Sequence, residues 1–402
     1  YSFVGITAYH YIDAEALPIV SPKELLEHTA IGLRTQRIVY LHSIALLIQY
    51  FFDDIKFIFM RFDLTCSTDD NYVQHCMAML CSVLKNNQNH NICIHLLHHA
   101  LSEKSQELIS NMIQRFGAKI YYYDVDINQL SRVSIAESHP NLSIATYFRF
   151  FLPSLLDDSI KKVLYLDCDV IVLKDVSDLF LIDLDGYGVA GVKDVTPGSD
   201  KHRQFMGLEL DDRAFCAGVL MINLEYWRKN KSEECMFRYA SEMSGKLIME
   251  DQDVLNYVFR KHWFQLPYKY GYTPMSIASL DKSQKYADIF EYVFSPSIIH
   301  YAAHVKPWLD IRIPDDQYYW KYVKLSGYPH PAKTQCQERY RKAIYFTKIR
   351  YYLNFYLRPF IPRILEYLLE DFFDLLVLIS YGFGRKGFKK YRLKKWLSKY
   401  NF

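Results

Sequence analysis

The chain has 402 residues and a mass of 47.7 kDa, enough for one large domain or two small ones. Half of the residues are hydrophobic and 23% are charged, which excludes a mainly disordered or collagen-like polypeptide. The net charge of +3 hides an asymmetry: residues 336–402 carry 15 Lys/Arg against 5 Asp/Glu, so a basic segment follows an acidic body and points to an anionic partner.

The chain starts at Tyr1 rather than Met. Residues 37–52 are apolar, but Ser43 and Gln49 interrupt them and Asp53 and Asp54 follow. The run falls short of the roughly 20 residues that span a bilayer. Residues 1–59 are expected to be an extension outside the catalytic domain, with residues 60–310 as that domain and 311–402 as a helical C-terminal region. A comparison of reading frames in the gene would test the origin of the extension.

Residues 61–66 read as a strand, 67–71 as a polar turn, and 72–84 as a helix with Met77, Leu80, Cys81 and Leu84 on one face. Residues 91–97 form a second strand. Ser102 caps a helix that runs to Phe116 and stops at Gly117, and residues 119–123 form a third strand. This alternation predicts an α/β fold with helices on the faces of the sheet. Residues 143–156 look helical up to Pro153, and 162–166 fit a buried strand. After Asp183 the glycines and prolines make the pattern irregular. Residues 215–224 read as a strand, 248–260 as a helix and 297–301 as a last strand. The eight cysteines form no CxxC pair, which argues against zinc or a disulfide framework and for a reducing cytosol.

Chemistry concentrates in four places. Asp167 and Asp169 interrupt the apolar run 164–172; at i and i+2 of an extended chain they share a side, where a cation such as Mn²⁺ or Mg²⁺ would neutralise them. Two solvated carboxylates at a strand end would look the same. Thr68-Asp69-Asp70-Asn71-Tyr72 follows the first strand, where open α/β sheets bind ligands; a helix cap by Asp70 or Asn71 would also explain it. His300 could complete a metal site and Lys306 could neutralise a diphosphate, or His300 could be a core residue with Trp308 packed beneath it. Glu250-Asp251-Gln252-Asp253 opens a helix, where acids suit the helix dipole, or Asp251 and Gln252 aim into a cleft to hold sugar hydroxyls.

Six ordered motifs join these places: Ser67-Thr68-Asp69-Asp70-Asn71-Tyr72, Ala145-Thr146-Tyr147-Phe148-Arg149, residues 164–169, Phe215-Cys216-Ala217-Gly218-Val219, Asp251-Gln252-Asp253, and residues 300–308. Through them, residues 61–308 resemble glycosyltransferase family 8, the family of glycogenin and of bacterial lipopolysaccharide glucosyl- and galactosyltransferases. The resemblance implies a GT-A fold, a Rossmann-like α/β domain with a mixed sheet, and transfer with retention of configuration. It implies that Asp69, Asn71 and Tyr72 hold the nucleoside of a UDP-sugar, that Arg149 contacts the donor, and that Asp167, Asp169 and His300 bind Mn²⁺, with Asp167 also facing the donor. Lys306 would meet the phosphates, and Asp251 and Gln252 would line the sugar pocket. Two residues depart from the family: Cys216 stands where Asn is usual, and Ala303 where Gly is usual. Both bear on sugar identity more than on the reaction.

The implied reaction moves glucose or galactose to a cell-surface glycan or glycolipid acceptor, by same-face attack or through a covalent intermediate on Asp251. Alternatives are a protein acceptor, a non-catalytic relative, and a nucleotidyltransferase. The last would need a basic Gly-rich loop, and residues 67–71 are acidic instead. Residues 386–399 interleave Lys/Arg with Phe388, Tyr391, Leu393, Trp396 and Leu397, the pattern of an interfacial segment drawn to anionic lipid rather than of a nucleic-acid arm. The expected location is the inner face of the plasma membrane.

Overall fold

The computed structural model describes residues 61–130, 143–194, 202, 207–209, 214–274, 291–302, 306–308, 315–329 and 349. The expected extension 1–59, Ala303, and the basic segment 336–402 apart from Ile349 lie outside the described residues. The described residues all belong to a compact unit that begins at Arg61.

Nine strands are described: β1 (Arg61–Ser67), β2 (Asn91–His98), β3 (Lys119–Asp124), β4 (Lys162–Leu166), β5 (Val170–Val172), β6 (Val189–Lys193), β7 (Phe215–Asn223), β8 (Trp263–Leu266) and β9 (Ile298–His300). Seven of them form one sheet in the order β3-β2-β1-β4-β7-β6-β8, and β5 pairs with β9 in a second, two-stranded sheet. β1 pairs parallel with β2 and β4, β2 with β3, and β6 with β8; β7 runs antiparallel to β4 and β6. The large sheet is therefore mixed, with one reversed strand, as expected.

The helices are α1 (Val73–Asn86), α2 (Glu103–Gln114), α3 (Leu152–Leu155), α4 (Leu224–Lys229), α5 (Ser232–Glu242), α6 (Asp251–Phe259) and α7 (Asp316–Ser326). Ser102 caps α2 as predicted: its Oγ accepts the N–H of Ser105. The cap expected from Asp70 or Asn71 on α1 is absent. Asp69 Oδ1 instead accepts the N–H groups of Asn71 and Tyr72, and the Asp70 carboxylate is taken by the hydroxyls of Ser102 and Ser105 at the start of α2. Asp70 thus ties the β1 loop to a neighbouring helix.

Residues 144–151 form a 3-10 helix rather than the expected α-helix, capped by Ser143. Its period of three puts Thr146 and Arg149 on one face. Pro153 does not end the segment, because it falls in the first turn of α3, where its missing N–H is not needed. The glycines and prolines after Asp183 predict no strand, yet β6 lies there. Gly188 and Gly191 give the strand little intrinsic preference, but pairing on both sides overrides it. A Cβ at Gly188 would collide with the Phe259 ring of α6, so glycine is what lets helix and strand approach.

A core of Leu97, Tyr147, Phe150, Val163, Phe215, Trp227 and Phe259 fills one face of the sheet. On α7, Tyr319 and Tyr322 are buried, with hydroxyls reaching Gln74, His75 and Asn86 of α1. The first helix beyond the last motif therefore packs on the catalytic body. Among the described residues, no helix is long and apolar enough to cross a membrane.

Candidate functional site

The two carboxylates sit where the large sheet hands over to the small one. β4 ends at Leu166, the turn Asp167-Cys168-Asp169 follows, and β5 starts at Val170. β5 pairs antiparallel with β9 so that Val170 opposes His300. This register carries His300 to the carboxylates from 131 positions away in the chain. Tyr301 N–H donates to the Asp169 carbonyl and Asp167 N–H to the Gly218 carbonyl, both at 2.9 Å, which locks the turn from both sides. Gly218 is required for a second reason: a Cβ there would overlap the His300 ring.

His300 Nε2 lies 3.2 Å from Asp169 Oδ1 and 4.0 Å from Asp167 Oδ2. One ligand atom from each of Asp167, Asp169 and His300 can be chosen so that all lie within 4.8 Å of one another. Asp169 Oδ1 is buried, and its neighbour is the His300 ring, without good hydrogen-bond geometry. A buried carboxylate oxygen held only by a poorly aligned ion pair is costly, and a divalent cation would satisfy it. The donor set of two carboxylates and an imidazole suits such an ion.

Lys306 Nζ stands 2.5 Å from Asp169 Oδ2 and 2.9 Å from the Tyr301 carbonyl. Burial alone would raise the Asp169 carboxyl, but Lys306 and His300 hold it well below the usual carboxylate range. Burial would lower the imidazolium of His300, and the Asp169 charge reverses this and raises it. Cys216 Sγ lies 3.4 Å from His300 Nδ1, on the ring edge away from the carboxylates.

Arg149 is 2% exposed and spends its guanidinium inside the protein. It donates to Asp167 Oδ1 and the Ala217 carbonyl at 2.7 Å, faces Asp251 Oδ2 at 3.2 Å, and lies over the Tyr165 ring. It therefore links the Asp167 turn to the start of α6. Asp251 also accepts from the Thr146 hydroxyl. Burial pushes its carboxyl up to about 6, with Arg149 opposing the rise and Asp167 reinforcing it. Gln252 is engaged as well: Oε1 accepts the Ala217 N–H at 2.9 Å and Nε2 donates to Asp194 Oδ2 at 3.1 Å.

On the β1 side, Asp69 is half-buried and Asn71 exposed. Tyr72 meets Trp308 edge-on, and Trp308 stacks on His75 at 3.6 Å. Burial, helped by the nearby Asp169 charge, pushes the Tyr72 hydroxyl up to about 12. Thr146, Tyr147 and Asp194 were not singled out in the sequence, whereas Glu250 opens the acidic turn 250–253. Thr146 and Tyr147 stand inside a quoted motif; Asp194 lies in the glycine-rich stretch where no strand was seen.

Asp63, Cys93 and His95 form a second group with metal-ligand chemistry. It differs in satisfaction. Asp63 Oδ1 accepts from the Arg61 guanidinium and from His95 Nε2, and His95 Nδ1 meets the Tyr123 hydroxyl at 2.9 Å. With its polar atoms matched and a guanidinium already beside it, this group is a structural network across three strands.

The chain matches the family model for glycosyl transferase family 8 over residues 63–312. It belongs to glycosyltransferase family 8. Among curated proteins it is similar to General stress protein A of Bacillus subtilis, 28% identical over 281 residues, covering 66% of this chain and 96% of that protein. It is also similar to a lipopolysaccharide 1,2-glucosyltransferase of Escherichia coli, 26% identical over 312 residues, covering 72% of this chain and 90% of the relative. Among solved structures, galactosyltransferase LgtC in complex with donor and acceptor sugar analogues superposes with a TM-score of 0.58 at 25% identity, covering 66% of this chain and 95% of that one. The family-8 match spans all the clustered residues from Asp69 to Lys306, and its fold is the mixed GT-A sheet.

Proposed function

We propose that this glycosyltransferase moves a hexose, glucose or galactose, from a UDP-sugar to a cell-surface glycan acceptor, the lipopolysaccharide core, with retention of configuration and dependence on a divalent metal, Mn²⁺ in preference to Mg²⁺. The observation that carries the reading is the convergence of Asp167, Asp169 and His300 beside Lys306. The lipopolysaccharide acceptor is supported by the similarity to the Escherichia coli 1,2-glucosyltransferase alone.

A divalent cation held by Asp167, Asp169 and His300 would supply positive charge against the departing diphosphate. Lys306 adds its ammonium on the same side and stabilises the leaving group without a proton transfer. Asp69, Asn71 and Tyr72 bind the nucleoside at the end of β1. Arg149, first read as a donor contact, acts one step back: it orients Asp167 and Asp251 against each other. Asp251 and Gln252 line the sugar pocket. The acceptor hydroxyl attacks on the face that UDP leaves, because Arg149 and Thr146 already engage the carboxylate that a covalent route would require as nucleophile. Residues 336–402 attach the enzyme to the anionic inner face of the plasma membrane.

A panel of UDP-sugars incubated with Mn²⁺, scored for UDP release, tests the donor reading; no release from UDP-glucose or UDP-galactose sinks it. Sedimentation with anionic vesicles at low and high salt, for the intact chain and for one cut near Pro331, tests the attachment. Equal sedimentation of the two removes the membrane assignment and leaves the transferase assignment standing.

A further inference from the structure

Glu250 is 1% exposed and adopts φ 49°, ψ −118°, a backbone conformation that residues with a Cβ avoid. Such strain persists only where the surroundings hold it, and it gathers where a protein must aim particular groups. Two sets of contacts hold it here. Tyr147, fully buried on the 3-10 helix, donates its hydroxyl to Glu250 Oε2 at 2.6 Å. Beyond Glu250, Asp253 Oδ2 accepts the N–H groups of Ile248 and Met249 at 2.8 and 2.9 Å, closing the turn on itself.

The next two residues are Asp251 and Gln252. The 3-10 helix touches this turn at consecutive positions: Thr146 donates to Asp251 and Tyr147 to Glu250, while Arg149, three residues on from Thr146, faces Asp251. Glu250 itself is buried against Tyr147, a member of the core. Burial, with the Glu250 charge beside it, raises the Tyr147 hydroxyl, so it stays protonated and able to donate.

We propose that the Tyr147–Glu250 hydrogen bond is a positioning device: it holds the strained turn in the one shape that sets Asp251 and Gln252 against the donor sugar. The inference rests on the reading that those two residues line the sugar pocket. It separates placement of the sugar from binding of the nucleotide, whose residues stand on β1 and its loop. Breaking the bond therefore lowers kcat with UDP-hexose and leaves the affinity for UDP alone unchanged.

The variants are Tyr147→Phe, which removes the donor, Glu250→Asp, which draws the carboxylate back by one methylene, and Glu250→Gln, which keeps an acceptor. For the first two, kcat falls about ten- to a hundredfold, the loss that follows a misplacement of about 1 Å. UDP binding by titration calorimetry stays at the wild-type value, and Glu250→Gln recovers most of the rate. Amide hydrogen exchange over residues 248–253, followed by mass spectrometry, speeds up in Tyr147→Phe and Glu250→Asp but not in Glu250→Gln. Unchanged kcat and unchanged exchange in both disruptive variants overturn the proposal, as does a parallel loss of UDP binding, which marks a general structural role. If Tyr147→Phe does not fold, Glu250→Asp decides. If the wild-type protein releases no UDP from any UDP-hexose, the donor reading fails, and the exchange measurement alone judges the positioning device.

Discussion

Two groups of similar composition stand on different strands of the fold. At the carboxyl ends of β4 and β9, Arg149, Asp167, Asp169, His300 and Lys306 converge; in the first half of β1, Arg61 and Asp63 join His95 and Tyr123. Each combines arginine, aspartate and histidine. They differ in how completely their polar atoms are matched. In the second group the carboxylate oxygen and both ring nitrogens are hydrogen-bonded, whereas in the first Asp169 Oδ1 and Asp251 Oδ2 are buried and meet His300 and Arg149 only as ion pairs at 3.2 Å, without good hydrogen-bond geometry. Between these two groups, the looser matching of buried polar atoms lies at the carboxylate cluster and the closer matching at the Asp63 network.

The largest expected effect breaks that comparison at the site. Asp169→Asn should lower Mn²⁺-dependent UDP release by at least about a hundredfold, the scale of removing one preorganised charge, with little change in thermal stability. Retention of the wild-type metal dependence would mean that Asp169 holds no ion. His300→Ala should weaken donor binding measured with Mn²⁺ present and leave binding without metal unchanged.

At the scaffold the signs are reversed. Asp63→Asn should cost about 3 kcal/mol of stability, because it breaks a buried charged network, while leaving Mn²⁺ dependence intact. Denaturant unfolding monitored alongside UDP release would show both. A loss of activity at full stability would make the Asp63 group a site after all.

A smaller effect concerns His75, whose ring stacks on Trp308 and meets the Tyr319 hydroxyl. Burial lowers its pKa from the ordinary 6.5 to about 4. Below pH 6.5 the unfolded chain takes up a proton that the folded chain resists, so stability should fall through that window and level off near pH 4. The full drop is roughly 3 kcal/mol. His75→Phe should flatten that part of the stability profile, and an unaltered slope would show that the imidazole is accessible to solvent. The smallest effect belongs to Arg61→Ala. Its side chain is 48% exposed, so the pair with Asp63 should contribute no more than about 1 kcal/mol.

The strands that carry alternating or continuous apolar runs were legible one by one: β1, β2, β3, β4, β7 and β9 lie within a residue or two of their predicted places. β5, β6 and β8 were not, because they are short or rich in glycine and owe their form to neighbours. The helix predicted from residue 248 begins at Asp251, since Glu250 reverses the backbone that a helical period would continue. Within the site, the Asp167–Asp169 pair could be read directly, because two residues apart on an extended chain face the same way.

The sequence by itself determined the ingredients and their local geometry: the paired carboxylates, the polar loop after β1 and the capped α2. Those follow from spacing, which acts over a few residues. The tertiary structure decided which ingredients meet. Antiparallel pairing of β5 with β9 delivers His300 to the carboxylates, and the 3-10 period turns Thr146 and Arg149 toward Asp251. It also decided that Asp70 serves α2 and that Arg149 is spent internally. Each outcome depends on competition between distant partners for the same donor or acceptor, and packing settles that competition only when the chain has closed on itself.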